Sequence, residues 1–304
     1  MRIDAAGPRS GKTKTRMAIM DPFKGFKPED ENSVRPPDVK EDETLKRLKG
    51  AFTRYLNRQR FFGYLDSRAS SQFGSENYKS ARDEIAAWIK RIEPRDVSNF
   101  SLALGTQIDA DSPVATGIFL SALVDHCDAG EFMIITNQLD WKSLPISLGI
   151  WNSKRIVVDG SVGDRLGGGM RRGRILVRGC AGDEAGFKMK GGRIIVEEDV
   201  RARTGKLMRG GRITIKGSAM GWTGNEMQGG DISIDGDTGA ALGAGMRGGE
   251  IVVRGDAGLS VGSGMEGGIL RVGGEIASFG QPIAIHGDLT IYQKRKIVME
   301  RRVK

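Results

Sequence analysis

The sequence predicts a mainly β protein: a parallel β-helix of about seven 19-residue coils, preceded by a small α/β cap and an α-helical hairpin. The first observation behind this prediction is a unit of nineteen residues that returns seven times without insertion. A constant period stacks equivalent positions of successive units on one another, as in solenoid proteins. The units begin at Arg155, Arg174, Arg193, Arg212, Asp231, Glu250 and Ile269.

The second observation is the spacing inside the unit, which reads x-I-x-V-x-G-x-x-G-x-x-x-G-x-x-M-x-G-G. Its apolar residues at positions 2 and 4 have the period of a β-strand. Of the 45 glycines in the chain, 35 fall between residues 155 and 287, where they mark corners. At about 3.3 Å per residue the unit has a perimeter of roughly 60 Å, enough for three short strands and three corners. Coils stacked at about 4.8 Å then form a rod roughly 34 Å long.

A methionine recurs at position 16 of six units, from Met170 to Met265. Stacked thioethers suggest a metal or redox site, but an inward column that fills space beside small residues explains them better, so we expect core packing. The third unit departs from the template because Glu198 and Arg201 replace corner glycines. We expect a relaxed corner there rather than a bulge.

The repeat, as in Gly258-Leu-Ser-Val-Gly262-Ser-Gly-Met265-Glu-Gly-Gly268, resembles the GXGXG β-helix family. This family includes the C-terminal domain of the glutamate synthase large subunit and the β-helical subunits of formylmethanofuran dehydrogenase and of the related formyltransferase/hydrolase complex. The resemblance covers residues 150–287 and implies a right-handed β-helix with a structural and docking role inside a larger enzyme. Flavin, iron–sulfur and pterin chemistry lies in other domains or subunits of those enzymes, so the resemblance implies no catalytic residue here. Residues 1–136 resemble no part of them.

Composition and spacing divide the chain into five segments. They are a disordered basic tail at 1–40, a helical hairpin at 41–95, a small α/β cap at 96–136, the Gly-rich β-helix at 137–287, and a C-terminal strand with a basic tail at 288–304. The N-terminal tail has no hydrophobic period. Its residues 6–13, AGPRSGKT, match a loose phosphate-loop pattern, but Pro8 and the lack of a preceding strand argue against nucleotide binding.

Two amphipathic helices are predicted in the hairpin, one over residues 41 to about 62 and one from near Ser75 to before Pro94. Basic and aromatic residues interleave over residues 54–64, RYLNRQRFFGY. Interleaved basic and aromatic side chains are typical of proteins that bind single-stranded nucleic acid, because the bases stack on the aromatic rings while the cations contact the phosphate backbone. A helical hairpin with a solvated basic face accounts for the same residues, and we favour it.

The cap is predicted as a strand at residues 100–104, an apolar helix at 114–127 and a strand at 132–136. We expect this unit to plug the first coil, since an uncovered β-helix end exposes unpaired strand edges. Asp125-His126-Cys127 has the residue types of a hydrolytic triad. Neighbours in sequence do not converge within hydrogen-bond reach, however, so we interpret this run as a helix end.

Several kinds of site are disfavoured by composition. The chain has only two cysteines, Cys127 and Cys180, too few for a disulfide framework. It has only two histidines, His126 and His286, which argues against a histidine-based metal site. The sequence suggests no signal peptide or membrane span, so we expect a cytoplasmic protein without membrane contact. We predict no cofactor, no metal ion and no catalytic residue.

The predicted binding site is a basic strip along the rod. Arg155, Arg174, Arg193 and Arg212 share position 1 and should lie above one another, and position 17 adds Arg171, Lys190, Arg209 and Arg247 near the same corner. Residues 155–216 contain 15 basic and 7 acidic residues, whereas residues 217–282 contain 3 and 8. Stacked like charges repel, and guanidinium groups suit partners rich in carboxylates or phosphates. The alternative is a solvated edge partly neutralised by Asp159, Asp183, Glu184, Glu197 and Glu198.

We therefore expect a non-catalytic scaffold or assembly module. It would dock to a larger enzyme of redox, one-carbon or glutamate-synthase-like type, or self-associate through its oppositely charged parts, so that its partner is a protein or a second copy. The first alternative is a nucleic-acid-binding protein that uses residues 41–95 and the basic tails, with affinity that falls steeply with salt. The second is a subunit with an enzymatic role that no motif reveals.

Overall fold

The structure is a computed structural model that describes residues 39, 41–61, 71–108, 112–281 and 289–301. Most of the predicted N-terminal tail, including the phosphate-loop-like run at 6–13, lies outside these residues. In the described part the chain forms four helices and then a parallel β-solenoid of about seven turns. The expected mainly β fold with a helical N-terminal region is confirmed.

The helices are α1 (Glu43–Phe61), α2 (Ser71–Trp88), α3 (Pro94–Leu102) and α4 (Pro113–His126). α1 and α2 are the predicted hairpin, although α2 begins at Ser71, before the expected start at Ser75. An aromatic cluster joins three of the helices, since the ring of Phe119 lies 5.0 Å from Phe52 and 5.4 Å from Phe100. α4 is apolar on every side and buried throughout residues 115–124, so it forms the centre of this helical region.

The predicted strand at residues 100–104 is wrong, because most of that segment belongs to α3. Glu93 and Asp96 form a capping box around the helix start, and Pro94 occupies the first turn, where its missing N–H costs nothing. Val97, Phe100 and Ser101 then lie on one buried helical face. Capping at the start of the helix therefore outweighs the alternating apolar pattern of residues 100–104 that suggested a strand. Leu104 forms only an isolated β-bridge, to Ile108.

One ten-stranded sheet runs in sequence order from β1 to β10. Its strands are β1 (Glu131–Ile135), β2 (Arg155–Asp159), β3 (Arg174–Val177), β4 (Arg193–Val196), β5 (Arg212–Ile215), β6 (Asp231–Ile234), β7 (Glu250–Val253), β8 (Gly268–Val272), β9 (Leu289–Gln293) and β10 (Lys296–Arg301). From β2 to β8 each residue pairs with the one nineteen positions on, as in Ile156 with Ile175. Successive units are therefore successive coils, and we number them one to seven from Arg155.

Each coil has one strand rather than the three expected from its perimeter. A second side is held by a single bridge at position 8, as between Val162 and Ala181. The third side consists of turns whose backbone groups still bond between coils, as where the Gly205 N–H donates to the Ala185 carbonyl. Glycine-rich turns replace the other strands in coils one to six because several residues of each of these coils have positive φ, which breaks an extended run.

The rod core consists of stacked columns of identical or similar side chains. Positions 2 and 4 of the strand point inward, and the methionines of position 16 are fully buried from Met170 to Met265. The expected packing role of the methionines is confirmed. Dispersion contacts along such continuous columns favour one register, because a slip by one residue would turn the inward set outward.

The C-terminal segment contains two strands, not the single strand predicted. β9 continues the solenoid in parallel with β8, and β10 folds back antiparallel to β9. The turn between them is Lys294-Arg295, whose φ values of 47° and 65° match a two-residue hairpin turn. Since this turn type usually contains Asn or Gly, the Lys-Arg pair gave no turn signal in the sequence.

The first coil is covered by the helical region. β1 pairs in parallel with β2, and α3 lies beside β1. Side chains of α3 form hydrogen bonds with backbone groups on the free edge of β1. The Ser98 hydroxyl donates to the Met133 carbonyl at 2.8 Å, and the Ile135 N–H donates to Ser101 Oγ at 2.9 Å. The expectation that the cap plugs this end is therefore met, although by a helix beside one strand.

Candidate anion-binding surface on the first coils

Four arginines of position 1 stack in register on the outer face of the sheet. Arg155 pairs with Arg174, Arg174 with Arg193, and Arg193 with Arg212 along β2 to β5. All four side chains are exposed. We call this set the arginine column. The sequence predicted the stacking of these four arginines correctly, because a constant nineteen-residue period allows only one register between neighbouring coils.

The two ends of the arginine column are neutralised and its middle is not. Arg155 Nε lies 3.3 Å from Glu131 Oε1, and Arg212 Nη2 lies 2.8 Å from Asp231 Oδ2. Among the described residues, Arg174 and Arg193 form no ion pair and no side-chain hydrogen bond. Two adjacent guanidinium groups therefore face solvent with all their donors free.

The five carboxylates that the alternative interpretation assigns to this edge have partners outside the arginine column. They pair as Asp159 with Arg178, Asp183 with Arg201, Glu184 with Arg165 and Lys206, and Glu197 with Lys216. Glu198 accepts a hydrogen bond from Cys180 Sγ at 3.2 Å. Proximity in sequence was misleading because partners in a solenoid lie one coil away, not next to one another along the chain.

Position 5, at the end of β2 and directly after β3 to β7, shows how the fold neutralises a charged column. Its residues alternate in sign: Asp159, Arg178, Glu197, Lys216, Asp235 and Arg254. Three neighbouring pairs form ion pairs at 3.0, 2.7 and 3.1 Å. We call this set the alternating column. Since stacked charges can be compensated so simply, the uncompensated arginines at position 1 are not a requirement of the fold.

The corner at position 17 adds further cations. Arg171, Lys190 and Arg209 are exposed and stacked, since the N–H of Lys190 donates to the Met170 carbonyl and that of Arg209 to the Met189 carbonyl. None of the three forms an ion pair within the described part of the chain. Beyond coil three the corner changes, with Gln228 next and then Arg247 paired to Glu266 at 3.1 Å. The arginine column and these three residues together form what we call the basic surface.

The irregular corner of coil three is not a bulge. Val200 bridges both Ala181 and Ala219, so the ladder between coils continues through it. Burial, with the nearby carboxylate of Glu198, raises the pKa of the Cys180 thiol to about 12. Burial likewise raises the pKa of Asp164, which accepts the Asp183 N–H at 2.7 Å. These groups connect coils and give no sign of an activated nucleophile.

Asp125, His126 and Cys127 do not converge. Asp125 pairs with Arg82 at 3.5 Å, His126 Nε2 contacts the Ile89 carbonyl at 3.1 Å, and Cys127 Sγ donates to the Ile92 carbonyl at 2.9 Å. These contacts tie the end of α4 to α2 and to the segment that follows it. The described residues contain no cluster of three histidines, cysteines or carboxylates that could hold a metal ion. No helix in that same part of the chain has the length and apolarity needed to span a membrane.

The basic and aromatic residues of the hairpin are largely engaged within it. Arg54 and Arg58 both pair with the buried carboxylate of Glu84, at 2.6 and 3.1 Å. Tyr55 is fully buried in the aromatic cluster, and burial raises the pKa of its hydroxyl. Residues 62–64 and the side chain of Arg60 lie outside the described residues. The described cations and rings are therefore arranged for helix packing rather than for stacking bases.

Sequence reasoning missed Glu131, which ends the arginine column. β1 precedes β2 by twenty-four residues, from Glu131 to Arg155, and so lies outside the nineteen-residue repeat. The available signal was the similarity of Glu131-Phe-Met-Ile-Ile to the apolar pattern of a coil strand. It would have predicted an additional rung before coil one.

Comparisons with known proteins do not identify the chain. No protein-family model matches it, and no curated protein is similar enough to count as a match. The resemblance to the GXGXG β-helix family therefore stays a prediction.

Proposed function

We propose that this protein is a non-catalytic assembly module that docks an acidic protein partner on its basic surface. The proposal rests on Arg174 and Arg193, two exposed and adjacent arginines that form no ion pair with any described residue. Planar guanidinium groups bind carboxylates through paired N–H donors. A row of them suits a partner that presents several carboxylates at a similar spacing.

Stability gives no reason for this arrangement. Like charges about 5 Å apart in water repel by somewhat under 1 kcal/mol, so the column costs a little and contributes nothing to folding. The alternating column, four residues further along each coil, avoids that cost. Avoidance of aggregation by a charged face is served equally well by the alternating column. Binding is the remaining use for uncompensated arginines.

A separate acidic partner has more support than a second copy of this chain. The carboxylates of the later coils already have cationic partners: Asp231 with Arg212, Asp235 with Arg254, Glu250 with Arg271, Glu266 with Arg247 and Glu275 with Lys294. Asp237 and Asp256 each accept a backbone N–H of the next coil. Of the eight carboxylates between residues 217 and 282, only Glu226, Asp237 and Asp256 thus form no ion pair with the described residues and could contact a second copy.

The resemblance to β-helix domains of larger enzymes suggests the setting. In this proposal the partner belongs to a redox or one-carbon complex and carries the chemistry, while the rod fixes its position. An enzymatic role of the chain itself has less support, since the described residues bring no acid, base and nucleophile together. Nucleic-acid binding through the hairpin also has less support, because Arg54 and Arg58 are engaged by Glu84.

Binding of a fluorescent oligoglutamate peptide of about twelve residues, measured by anisotropy at increasing salt, tests the proposal. We expect binding at low salt that Arg174→Gln with Arg193→Gln weakens about tenfold. The matched control is Arg178→Gln with Arg254→Gln, which removes the same charge from the alternating column. It should weaken binding much less.

Two results would overturn the proposal. One is that the control pair weakens binding as much as the arginine pair, since the effect would then reflect net charge alone. The other is that single-stranded oligothymidine binds more tightly than the peptide and is unaffected by the arginine substitutions, which would favour a nucleic-acid partner.

A further inference from the structure

An apolar row runs beside the arginine column on the same outer face. Position 3 lies two residues along each strand from position 1, so its side chains point the same way. In register they are Met133, Val157, Leu176 and Ile195, which we call the apolar row. Met133 is 41% exposed and Leu176 and Ile195 are partly exposed, whereas Val157 between Met133 and Leu176 is only 7% exposed. The outer face thus has an apolar centre with cations along one side.

The apolar row and the unpaired arginines end together. After Ile195 the next outward residues are Thr214 and Ser233, and after Arg212 the next residue of position 1 is Asp231. Thr214 and Ser233 show that short polar side chains fit this position of the sheet. The fold therefore does not require apolar side chains at position 3 of the first coils. Because these side chains occur on the same coils as the free guanidinium groups, we treat the two sets as one continuous surface.

The spacing along this surface fits a helix and not an extended chain. Coils about 4.8 Å apart place successive apolar residues at about 4.8, 9.6 and 14.4 Å along the rod. A helix that lies along the rod places residues i+3, i+7 and i+10 at about 4.5, 10.5 and 15 Å, within about 1 Å of those positions. In an extended peptide, residues on the same face repeat about every 6.7 Å, so the second of them is already several ångströms away from the second coil.

We infer that the partner presents an acidic amphipathic α-helix that lies along the rod, across the strands. Its apolar stripe covers the apolar row, and carboxylates on one flank meet Arg174 and Arg193. Charge complementarity selects an acidic flank, and the position of the arginines on one side of the row selects the orientation of the helix about its own axis. This inference rests on the proposed function and names the form of its partner.

Three peptides of equal composition test the inference on the full chain. One places leucines at i, i+3, i+7 and i+10 with glutamates on one flank, the second alternates leucine and glutamate as in a strand, and the third is scrambled. We expect the helical peptide to bind about tenfold more tightly than the others and to gain helical circular dichroism on binding.

Substitutions in the apolar row supply the second part of the test. Leu176→Thr and Ile195→Thr introduce the residue that coil four already has, so the fold should tolerate them, and each should weaken the helical peptide about fivefold. Val252→Thr changes the same position of coil six, far from the free arginines, and should have no effect. Unchanged far-ultraviolet circular dichroism and melting temperature establish that the variants are folded.

The outcomes separate the inference from the proposed function. Equal affinity for all three peptides, or no effect of Leu176→Thr and Ile195→Thr while Arg174→Gln with Arg193→Gln still weakens binding, overturns the helical partner but leaves the acidic one. Failure of every acidic peptide to bind the wild-type chain at low salt overturns both.

Discussion

Several residues of each of coils one to six have positive φ, but only some of these positions require glycine. Positions 11 and 15 accept ordinary side chains, as at Arg203 with φ 61° and Leu207 with φ 57°. Position 19 is always glycine. A Cβ on Gly249 would lie 2.6 Å from the Gly230 carbonyl oxygen and 2.8 Å from Met227 Cε. The strict requirement therefore comes from close contact between coils, and conformation alone adds a smaller cost.

Gly249→Ala should destabilise the protein much more than Gly264→Ala. Both glycines have positive φ, 93° and 62°, but the nearest atom to a Cβ on Gly264 is 3.9 Å away. Left-handed strain alone costs about 1 kcal/mol, and forcing a methyl group against the neighbouring coil adds about 2 kcal/mol or more. Urea unfolding of the two variants measures the difference. Equal losses would mean that contact between coils does not select glycine here.

Cys180 should resist alkylation at neutral pH. Burial and the Glu198 carboxylate raise the pKa of its thiol from 9.0 to about 12, so at pH 8 the thiolate fraction falls on the order of 10³-fold. The raised pKa keeps the reactive anion scarce until pH approaches 12. Iodoacetamide labelling, followed by peptide mass spectrometry, should be slow in the folded protein and fast in urea.

The neighbouring carboxylates provide a matched test of the cause. Glu198→Gln removes the group that accepts the Cys180 hydrogen bond and should speed labelling. Glu197→Gln changes an adjacent residue that pairs with Lys216 and should not. If Glu198→Gln left the labelling rate unchanged, burial alone would account for the inertness of the thiol.

At the scale of elements, the helical hairpin is joined by one buried carboxylate. Glu84 of α2 is 1% exposed and accepts from Arg54 and Arg58 of α1. Arg54 also lies 4.1 Å from the ring centre of Trp88, near the end of α2. A buried charge is tolerated when it is paired and hydrogen-bonded, so these contacts fix how the two helices align.

Arg54→Met should destabilise the protein more than Arg58→Met. The first change removes the closer ion pair, at 2.6 Å, and the contact with Trp88, whereas the second removes a pair at 3.1 Å from a more exposed side chain. We expect losses of about 2 and 1 kcal/mol, because Glu84 keeps one partner in either variant. Denaturant unfolding checks the order, and a larger loss for Arg58→Met would contradict this account.

The elements differ in how far the sequence predicted them, for a physical reason. The nineteen-residue spacing predicts coils one to six because each repeats the contacts of its neighbours, so Arg174 and Arg193 could pair in only one register. α3 depends on a capping box at Glu93 and Asp96, a local contact that outweighed an ambiguous five-residue run. The ion-pair partners of the arginine column depended on pairing across coils. Glu131 in particular joins through a strand outside the repeat.

At the scale of the molecule, the rod is a stack in which each coil contacts chiefly its two neighbours. Its two ends are closed differently, by α3 beside β1 and by the β9–β10 hairpin after β8. Coils one to six have the same length and the same inward columns, whereas coil seven takes 21 residues, from Ile269 to Thr290, instead of the predicted nineteen. Stability should therefore be nearly additive over coils, while register must hold across the whole stack.

Deletion of residues 231–249, one whole coil, should leave a folded rod that is shorter by one rung. Arg212 then stacks on Glu250 and keeps an acidic partner, while Lys216 meets Arg254 and the alternating column loses one favourable pair. From roughly 0.05–0.15 kcal/mol per residue, we expect a loss of about 1–3 kcal/mol. Circular dichroism melting and size-exclusion chromatography measure the outcome.

Deletion of residues 231–248, one residue shorter, is the control. This deletion keeps Gly249, so one extra residue remains at the junction between the joined coils. The inward and outward positions of the later strands then exchange, unless the extra residue is extruded as a bulge. We expect loss of cooperative melting, or a melting temperature well below that of the whole-coil deletion. If both deletions melt alike, the columns of identical side chains do not set the register of the rod.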